Sequence, residues 1–220
     1  MIVFATDYDE ATKGGHMVAQ QFPHRMLPVE TEKLFGHVAT ATNLKALLRA
    51  CPDRPLIAFS HGKTTHLCGD NGSPAIENAD GSIIGNRSLF IYACWTSDGL
   101  GQVIASYGAR WWGFTGEISA LPQDQRTALV LAKLIGRLIN DIPNMHTPSR
   151  IRHYLEHHVS TLCRAALSEL HRLHLSGHRV DPYGYYAIEH IMQRLRVWLP
   201  GEKLPVFDNS TGAPINVLRL

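Results

Sequence analysis

Two short apolar runs, Leu56-Ile57-Ala58-Phe59 and Leu89-Phe90-Ile91-Tyr92, constrain this chain more than any other feature of it. Neither alternates with polar residues, both are rich in branched and aromatic side chains, and both are bounded by turn formers. That pattern is the mark of a strand buried on both faces of a sheet. Each run also ends in a residue with chemistry to offer. The first leads into Ser60-His61-Gly62 and the second into Ala93-Cys94-Trp95-Thr96-Ser97-Asp98-Gly99. In parallel sheets functional groups gather where the carboxyl ends of strands meet loops, so a His and a Cys at two such ends can face one crevice as base and nucleophile.

The surrounding chain supplies alternating elements. Ile2-Val3-Phe4-Ala5 is a short buried strand that stops at Thr6-Asp7-Tyr8-Asp9-Glu10. From there to His37 the pattern is poorly periodic, with Gly14-Gly15, Pro23 and Pro28 as breakers, and suggests only a short extended piece over residues 26–29. A helix capped by Thr42 or Asn43 follows, with Leu44, Leu47 and Leu48 at helical spacing. Between His61 and Cys94, residues 65–68 and 81–84 are expected to be the arms of a small hairpin joined by the polar stretch 69–80. Leu100, Val103, Ile104 and Tyr107 fit a short helix stopped at Gly108, and residues 109–115 a further strand. Residues 127–142 carry the clearest helical stripe, from Leu129 to Ile139. Strands alternating with helices argue for an α/β fold with a mostly parallel sheet flanked by helices. Residues 150–178 and 185–198 read as two more helices, a helical extension (146–220) packed on the main unit (1–145), with a soft boundary at 144–149.

Composition narrows the function classes. With 220 residues and 45% hydrophobic content the chain can bury one sizeable core. Its 21 basic and 19 acidic residues are dispersed, which leaves no electrostatic footprint for nucleic acid. The start has no basic region followed by an apolar one, and nowhere do about 18 apolar residues run together, so neither secretion nor a membrane is expected. Cys51, Cys68, Cys94 and Cys163 show no CxxC spacing, which suits a reducing cytoplasm and leaves Cys94 a free thiol.

The sequence Phe59-Ser60-His61-Gly62, followed by Tyr92-Ala93-Cys94-Trp95-Thr96, resembles the histidine and cysteine motifs of the caspase-like cysteine peptidases, and most closely their CHAT branch. In that superfamily one hydrophobic strand ends in His-Gly, a later one ends in Ala-Cys, and the next helix and strand contain a step such as Gly108-Ala109. The resemblance covers roughly residues 1–140. It implies a caspase-like three-layer sandwich, a cysteine endopeptidase acting on a protein, no cofactor, and activity restrained until a partner, self-cleavage or a larger assembly releases it. The stretch 69–80 is the expected place of such control. The chain also departs from the pattern. Tyr92 stands where the caspase signature has Gln, and Trp95-Thr96 where it has Arg-Gly, so the aspartate pocket of caspases is not implied. No helical repeat array, a frequent companion of the CHAT branch, is present.

In such a mechanism Cys94 is the nucleophile, His61 its base and the acid for the leaving amine, and the backbone N–H groups of Gly62 and Cys94 the oxyanion donors. No third member is evident. For the residue before the cut, a pocket near the end of the first strand makes Asp7 and Asp9 attract Lys or Arg. The rival pocket is apolar, built from Tyr92, Trp95 and Phe114, and selects Leu or Met. Two other functions stay open: a catalytically silent binding module of the same fold, and a zinc peptidase through His153-Tyr154-Leu155-Glu156-His157, which matches H-x-x-E-H and needs a third ligand from Glu169, Glu189 or His190. No metal is expected, because the helix is His-rich enough for a chance match.

Overall fold

The computed structural model describes residues 1–23, 28, 30–140 and 148–208. Nine strands are found among them: β1 (Ile2–Ala5), β2 (Glu32–Phe35), β3 (Leu56–Phe59), β4 (His66–Cys68), β5 (Pro74–Glu77), β6 (Ser88–Tyr92), β7 (Arg110–Phe114), β8 (Leu195–Trp198) and β9 (Phe207–Asp208). The helices are α1 (Glu10–Gln20), α2 (Ala41–Ala50), α3 (Gly81–Ile84), α4 (Leu100–Ser106), α5 (Gln125–Asn140), α6 (Pro148–Leu175) and α7 (Pro182–Arg194). Seven strands form one sheet in the order β2-β1-β3-β6-β7-β8-β9, with β4 and β5 a separate hairpin. Every pairing from β2 across to β7 is parallel, and β8 and β9 join antiparallel. The protein is thus α/β, with a mostly parallel sheet between two helical layers.

Strand residues alternate between the two layers. Val3, Ile57, Phe59, Phe90, Tyr92 and Phe114 face α1, α5, α6 and α7, while Phe4, Leu56, Ala58, Leu89, Ile91 and Trp111 face α2, α3, α4 and the hairpin. Each large side chain buried this way contributes about 1.5–3 kcal/mol relative to exposure, which is why runs without polar alternation are stable only here. Among the described residues no helix is long and apolar enough to cross a membrane.

Several elements differ from the sequence expectation, each for a tertiary reason. The stretch after Glu10 is a full helix, although Gly14 and Gly15 disfavour one. A Cβ at Gly14 would lie 1.8 Å from the Leu121 carbonyl oxygen and one at Gly15 2.8 Å from Phe59 Cβ, so Gly15 lets α1 press onto the sheet and Gly14 onto the segment after β7. Asp9 caps that helix with a reciprocal bond to Thr12. Helix α2 starts two residues earlier than expected, with Thr40 as the cap. Of the extended piece over 26–29, residues 26, 27 and 29 lie outside the described residues, as do 141 and 142 of the expected helix and 144–147 of the expected boundary. The hairpin's second arm is β5. Residues 81–84 are helical instead, because Glu77 and Asp80 cap the turn before them and Lys45 holds Asp80 at 2.9 Å. The polar loop therefore shrinks to residues 69–73, closed by Gly69 N–H to the Ser73 carbonyl at 2.7 Å.

The extension differs as well. Helix α7 ends at Arg194, and Leu195–Trp198 is a strand paired to β7, with Leu195 and Val197 on one face and Trp198 on the other. The C-terminal part is built into the sheet, and not merely packed on it.

Candidate active site

Parity and register bring the two motif residues together. Phe59 and Tyr92 are directly paired across β3 and β6 and project to the α1 side. Two residues further on, His61 and Cys94 are level with each other beyond the same edge. That edge is the carboxyl end of β1, β3 and β6, beside the point where the strand order reverses between β2 and β3 around β1. Helix α1 leaves β1 toward one layer and α2 enters β3 from the other, which opens the crevice expected there. His61 and Cys94 both line it, in a cleft of about 420 Å³ including its open mouth.

The hairpin fixes the histidine turn. Cys68 N–H donates to the His61 carbonyl and Lys63 N–H to the His66 carbonyl, both at 2.9 Å. The Thr6 hydroxyl donates to Ser60 Oγ at 3.0 Å, and Ser60 donates in turn to the Cys68 carbonyl at 2.7 Å. Gly62 then runs against the nucleophile turn so closely that a Cβ would fall 2.6 Å from the Cys94 carbonyl and 2.5 Å from Thr96 Cγ2. Among the described residues neither the Gly62 nor the Cys94 N–H donates to a protein acceptor; Cys94 lines the cleft, and Gly62 adjoins it through His61.

His61 has a carboxylate partner that sequence reasoning did not assign to it. Nε2 lies 2.7 Å from Asp9 Oδ2. With Asp9 ionised, Nε2 carries the proton and donates, which leaves Nδ1 as the basic nitrogen. Burial alone raises the Asp9 carboxyl, but the bonds from His61 and from the Thr12 backbone and hydroxyl outweigh it and hold it below the usual carboxylate range. The Tyr8 ring flanks the imidazole at 5.6 Å, and burial pushes its phenol up to about 12. The signal for Asp9 was present in the sequence: an Asp-x-x-Thr cap just after β1 stands beside any residue just after β3, once those strands are neighbours.

Cys94 follows β6 in a sharp turn, where Trp95 adopts φ 61°, the one positive φ among the described non-glycine residues. Such a conformation costs on the order of 1–3 kcal/mol and is held here by Trp95 N–H donating to the Gly116 carbonyl at 2.9 Å. The sulfur rests on the segment after β7. Ile118 N–H donates to Sγ at 3.4 Å, and Sγ donates to the Ile118 carbonyl at 3.7 Å. Among the described residues no hydrogen bond joins Sγ to His61. Nothing in the local sequence of residues 117–121 marked this cradle. It is strapped from both sides: Tyr92 OH donates to the Ser119 carbonyl at 3.3 Å, Ser119 N–H donates to His190 Nδ1 at 2.9 Å, and Arg194 bonds the Glu117 carbonyl. Burial pushes the Cys163 thiol up to about 12 and raises Cys68 as well, so both are poor nucleophiles.

The remaining candidates are spread out. Asp7 faces His16 at 2.9 Å, and Asp9 is committed to His61 and Thr12, so neither acid is aimed into the cleft. Tyr92 lines the cleft, Trp95 is exposed outside it, and Phe114 is fully buried beneath Tyr92 with ring centroids 4.9 Å apart. The side chain of His153 lies outside the described residues, while Glu156 and His157 are exposed on α6. Of the residues weighed as a third ligand, Glu169 pairs with Arg172, Glu189 accepts from Gln193, and His190 accepts from Ser119. Among the described residues no group of three or more His, Cys, Asp or Glu is placed to hold a metal ion.

His190 makes the cradle sensitive to acid. Burial, aided by the Arg194 charge, lowers its pKa to about 4, and the unprotonated Nδ1 accepts from Ser119 N–H. The folded pKa lies below the unfolded value near 6.5, so this stabilisation is complete above about pH 6.5 and is lost as pH falls through 4. The full shift corresponds to about 3 kcal/mol, reduced to about 2 by partial exposure to solvent. Urea unfolding between pH 7 and 4 is expected to show that loss, and His190→Asn, which keeps an acceptor that does not titrate, to flatten it. An unchanged pH dependence in His190→Asn would remove His190 from this role.

Comparison of the chain with family models, with curated proteins and with solved structures finds no match. The functional assignment therefore stands on the residues of this site.

Proposed function

We propose that the protein is a cysteine endopeptidase that cuts a protein partner through Cys94 and His61, with Asp9 orienting the imidazole. One observation carries this: a thiol and a carboxylate-held histidine stand just beyond the ends of neighbouring parallel strands and line one cleft, and among the described residues the backbone N–H groups of Cys94 and of Gly62, next to His61, donate to no protein acceptor. The resemblance of both strand ends to the caspase-like motifs points the same way. In the reaction, His61 Nδ1 takes the thiol proton and the Cys94 sulfur attacks the scissile carbonyl. The oxyanion is received by the Gly62 and Cys94 N–H groups. The C–N bond then breaks as His61 returns the proton to the leaving amine, and water, deprotonated by the same nitrogen, hydrolyses the thioester.

The resting sulfur sits on Ile118 and not on His61, which favours a restrained enzyme over a constitutive one. A protein partner or larger assembly that shifts residues 117–120 is the proposed activator. The cytoplasm is the proposed location, since all four cysteines are free thiols. The same resting geometry would suit a catalytically silent binding module, and one experiment separates the two. A peptide library is incubated with the full chain before and after alkylation by iodoacetamide, with the modified residue mapped by mass spectrometry. Hydrolysis that falls in proportion to alkylation of Cys94, and that resists chelators, is expected. Hydrolysis that survives full alkylation of Cys94 overturns the proposal, and no hydrolysis in either sample, even after limited proteolysis, supports the binding module.

A further inference from the structure

We infer that the cleft beside Cys94 receives the side chain preceding the scissile bond and selects an apolar one of Leu or Met size. This rests on the peptidase reading and adds a substrate class to it. Ala11 and Gly15, one turn apart on α1, form one wall, while Phe59, Tyr92, Ala120 and Leu121 close the rest. Among the described residues no Asp, Glu, Lys or Arg lines the space. Apart from His61 and Cys94, which carry the chemistry, its polar side chains are already engaged. The Thr12 hydroxyl bonds Asp9, Ser60 donates to the Cys68 carbonyl, Tyr92 OH donates to the Ser119 carbonyl, and Ser119 Oγ lies 3.3 Å from His190 Nδ1. An ammonium or guanidinium entering here would give up water and find no partner of opposite charge, and a carboxylate would meet only His61, already paired with Asp9, whereas an apolar side chain loses nothing by leaving water.

The two acids that could have drawn a basic side chain are both turned away. Asp9 Oδ2 faces His61 and its Oδ1 faces Thr12 N–H, while Asp7 faces His16, whose ring packs against Phe35 of β2. Depth is limited as well. Gly15 already packs on Phe59 with no room for a Cβ between them, and the volume, mouth included, is about 420 Å³. One side chain of moderate size fits.

The test uses peptidyl chloromethyl ketones identical except for the residue next to the electrophile: Leu, Met, Lys, Arg, Asp or Glu. The Cys94 thiolate displaces chloride from the methylene carbon, so the rate is read by intact mass without turnover, with Cys94→Ala as the control for the labelled site. The Leu and Met reagents are expected to label Cys94 at least about tenfold faster than the charged ones. Ala11→Asp, at the exposed rim of the cleft, is expected to raise the Lys and Arg rates about tenfold relative to Leu. Faster labelling by a charged reagent overturns the pocket assignment and leaves the peptidase reading standing, as does an Ala11→Asp chain with unchanged ratios. If no peptidyl reagent reaches Cys94 even after limited proteolysis, while iodoacetamide does, the pocket assignment and the peptidase reading both fall.

Discussion

Cys94→Ala is expected to leave no hydrolysis above the buffer rate, and His61→Ala to lower kcat/KM by about 10²–10⁴-fold, with urea unfolding of either variant close to that of the parent. Both side chains stand beyond the ends of their strands and are partly exposed, so their loss leaves no cavity in the core. Asp9 separates orientation from acid–base chemistry. Asp9→Asn keeps a good helix cap and an oxygen near His61, but the charge that fixes the tautomer is gone. A drop in kcat of about 10²-fold with little change in KM is expected, because Asp9 is turned toward His61 and away from the cleft. Asp9→Ala loses the cap too and is expected to cost about 1 kcal/mol in stability besides. Steady-state kinetics on the activated protein check these values. A His61→Ala chain that cleaves like the parent would leave Cys94 without its base and sink the dyad.

The largest stability effect is expected at Arg87, which sequence reasoning passed over entirely. The residue is 3% exposed, and among the described residues no carboxylate forms an ion pair with it. Its guanidinium is instead spent on backbone carbonyls. Nε donates to Ile84 at 2.6 Å, Nη1 to Cys51 and Arg54 at 3.3 Å, and Nη2 to Leu48 at 2.8 Å and Ile83 at 3.2 Å. Leu48, Ile83 and Ile84 lie in the last turns of α2 and α3, whose carbonyls have no partner within the helix, while Cys51 and Arg54 belong to the turn that follows α2, so the cation also meets the negative ends of the helix dipoles. Burial lowers the pKa from its ordinary value, but five acceptors around one cation keep it charged. Arg87→Met strips all five at once and is expected to cost about 3–5 kcal/mol, a large part of the roughly 5–15 that a domain has. Calorimetry should show a melting temperature lower by about 10 °C. Arg87→Lys, with three donors at a single point, is expected to recover less than half of the loss. Arg87 lies at the start of β6 and Cys94 just past its end, so the folded fraction of either variant should react with iodoacetamide at the parent rate. A loss below about 1 kcal/mol in Arg87→Met would show that water satisfies those carbonyls.

The parallel core was legible in the sequence because a strand covered on both faces has no polar side, and few other environments tolerate Leu56–Phe59 and Leu89–Tyr92. With those strands came the positions of His61 and Cys94, since two residues past a buried strand end is a local distance along one chain. The limits of locality explain what was missed. Gly14-Gly15 reads as a break until Leu121 and Phe59 are seen against it, and Leu195–Trp198 continues a helical pattern until β7 offers it a ladder. Residues 81–84 form a turn of helix because Lys45, far away in sequence, holds their cap. The site divides the same way. Which residues are candidates for the chemistry could be read from residue type and motif order. The Asp9 cap left a local signal, but its meeting with His61, like Ile118 on the sulfur and His190 behind Ser119, was decided by packing, because each joins segments separated by at least 24 residues of chain.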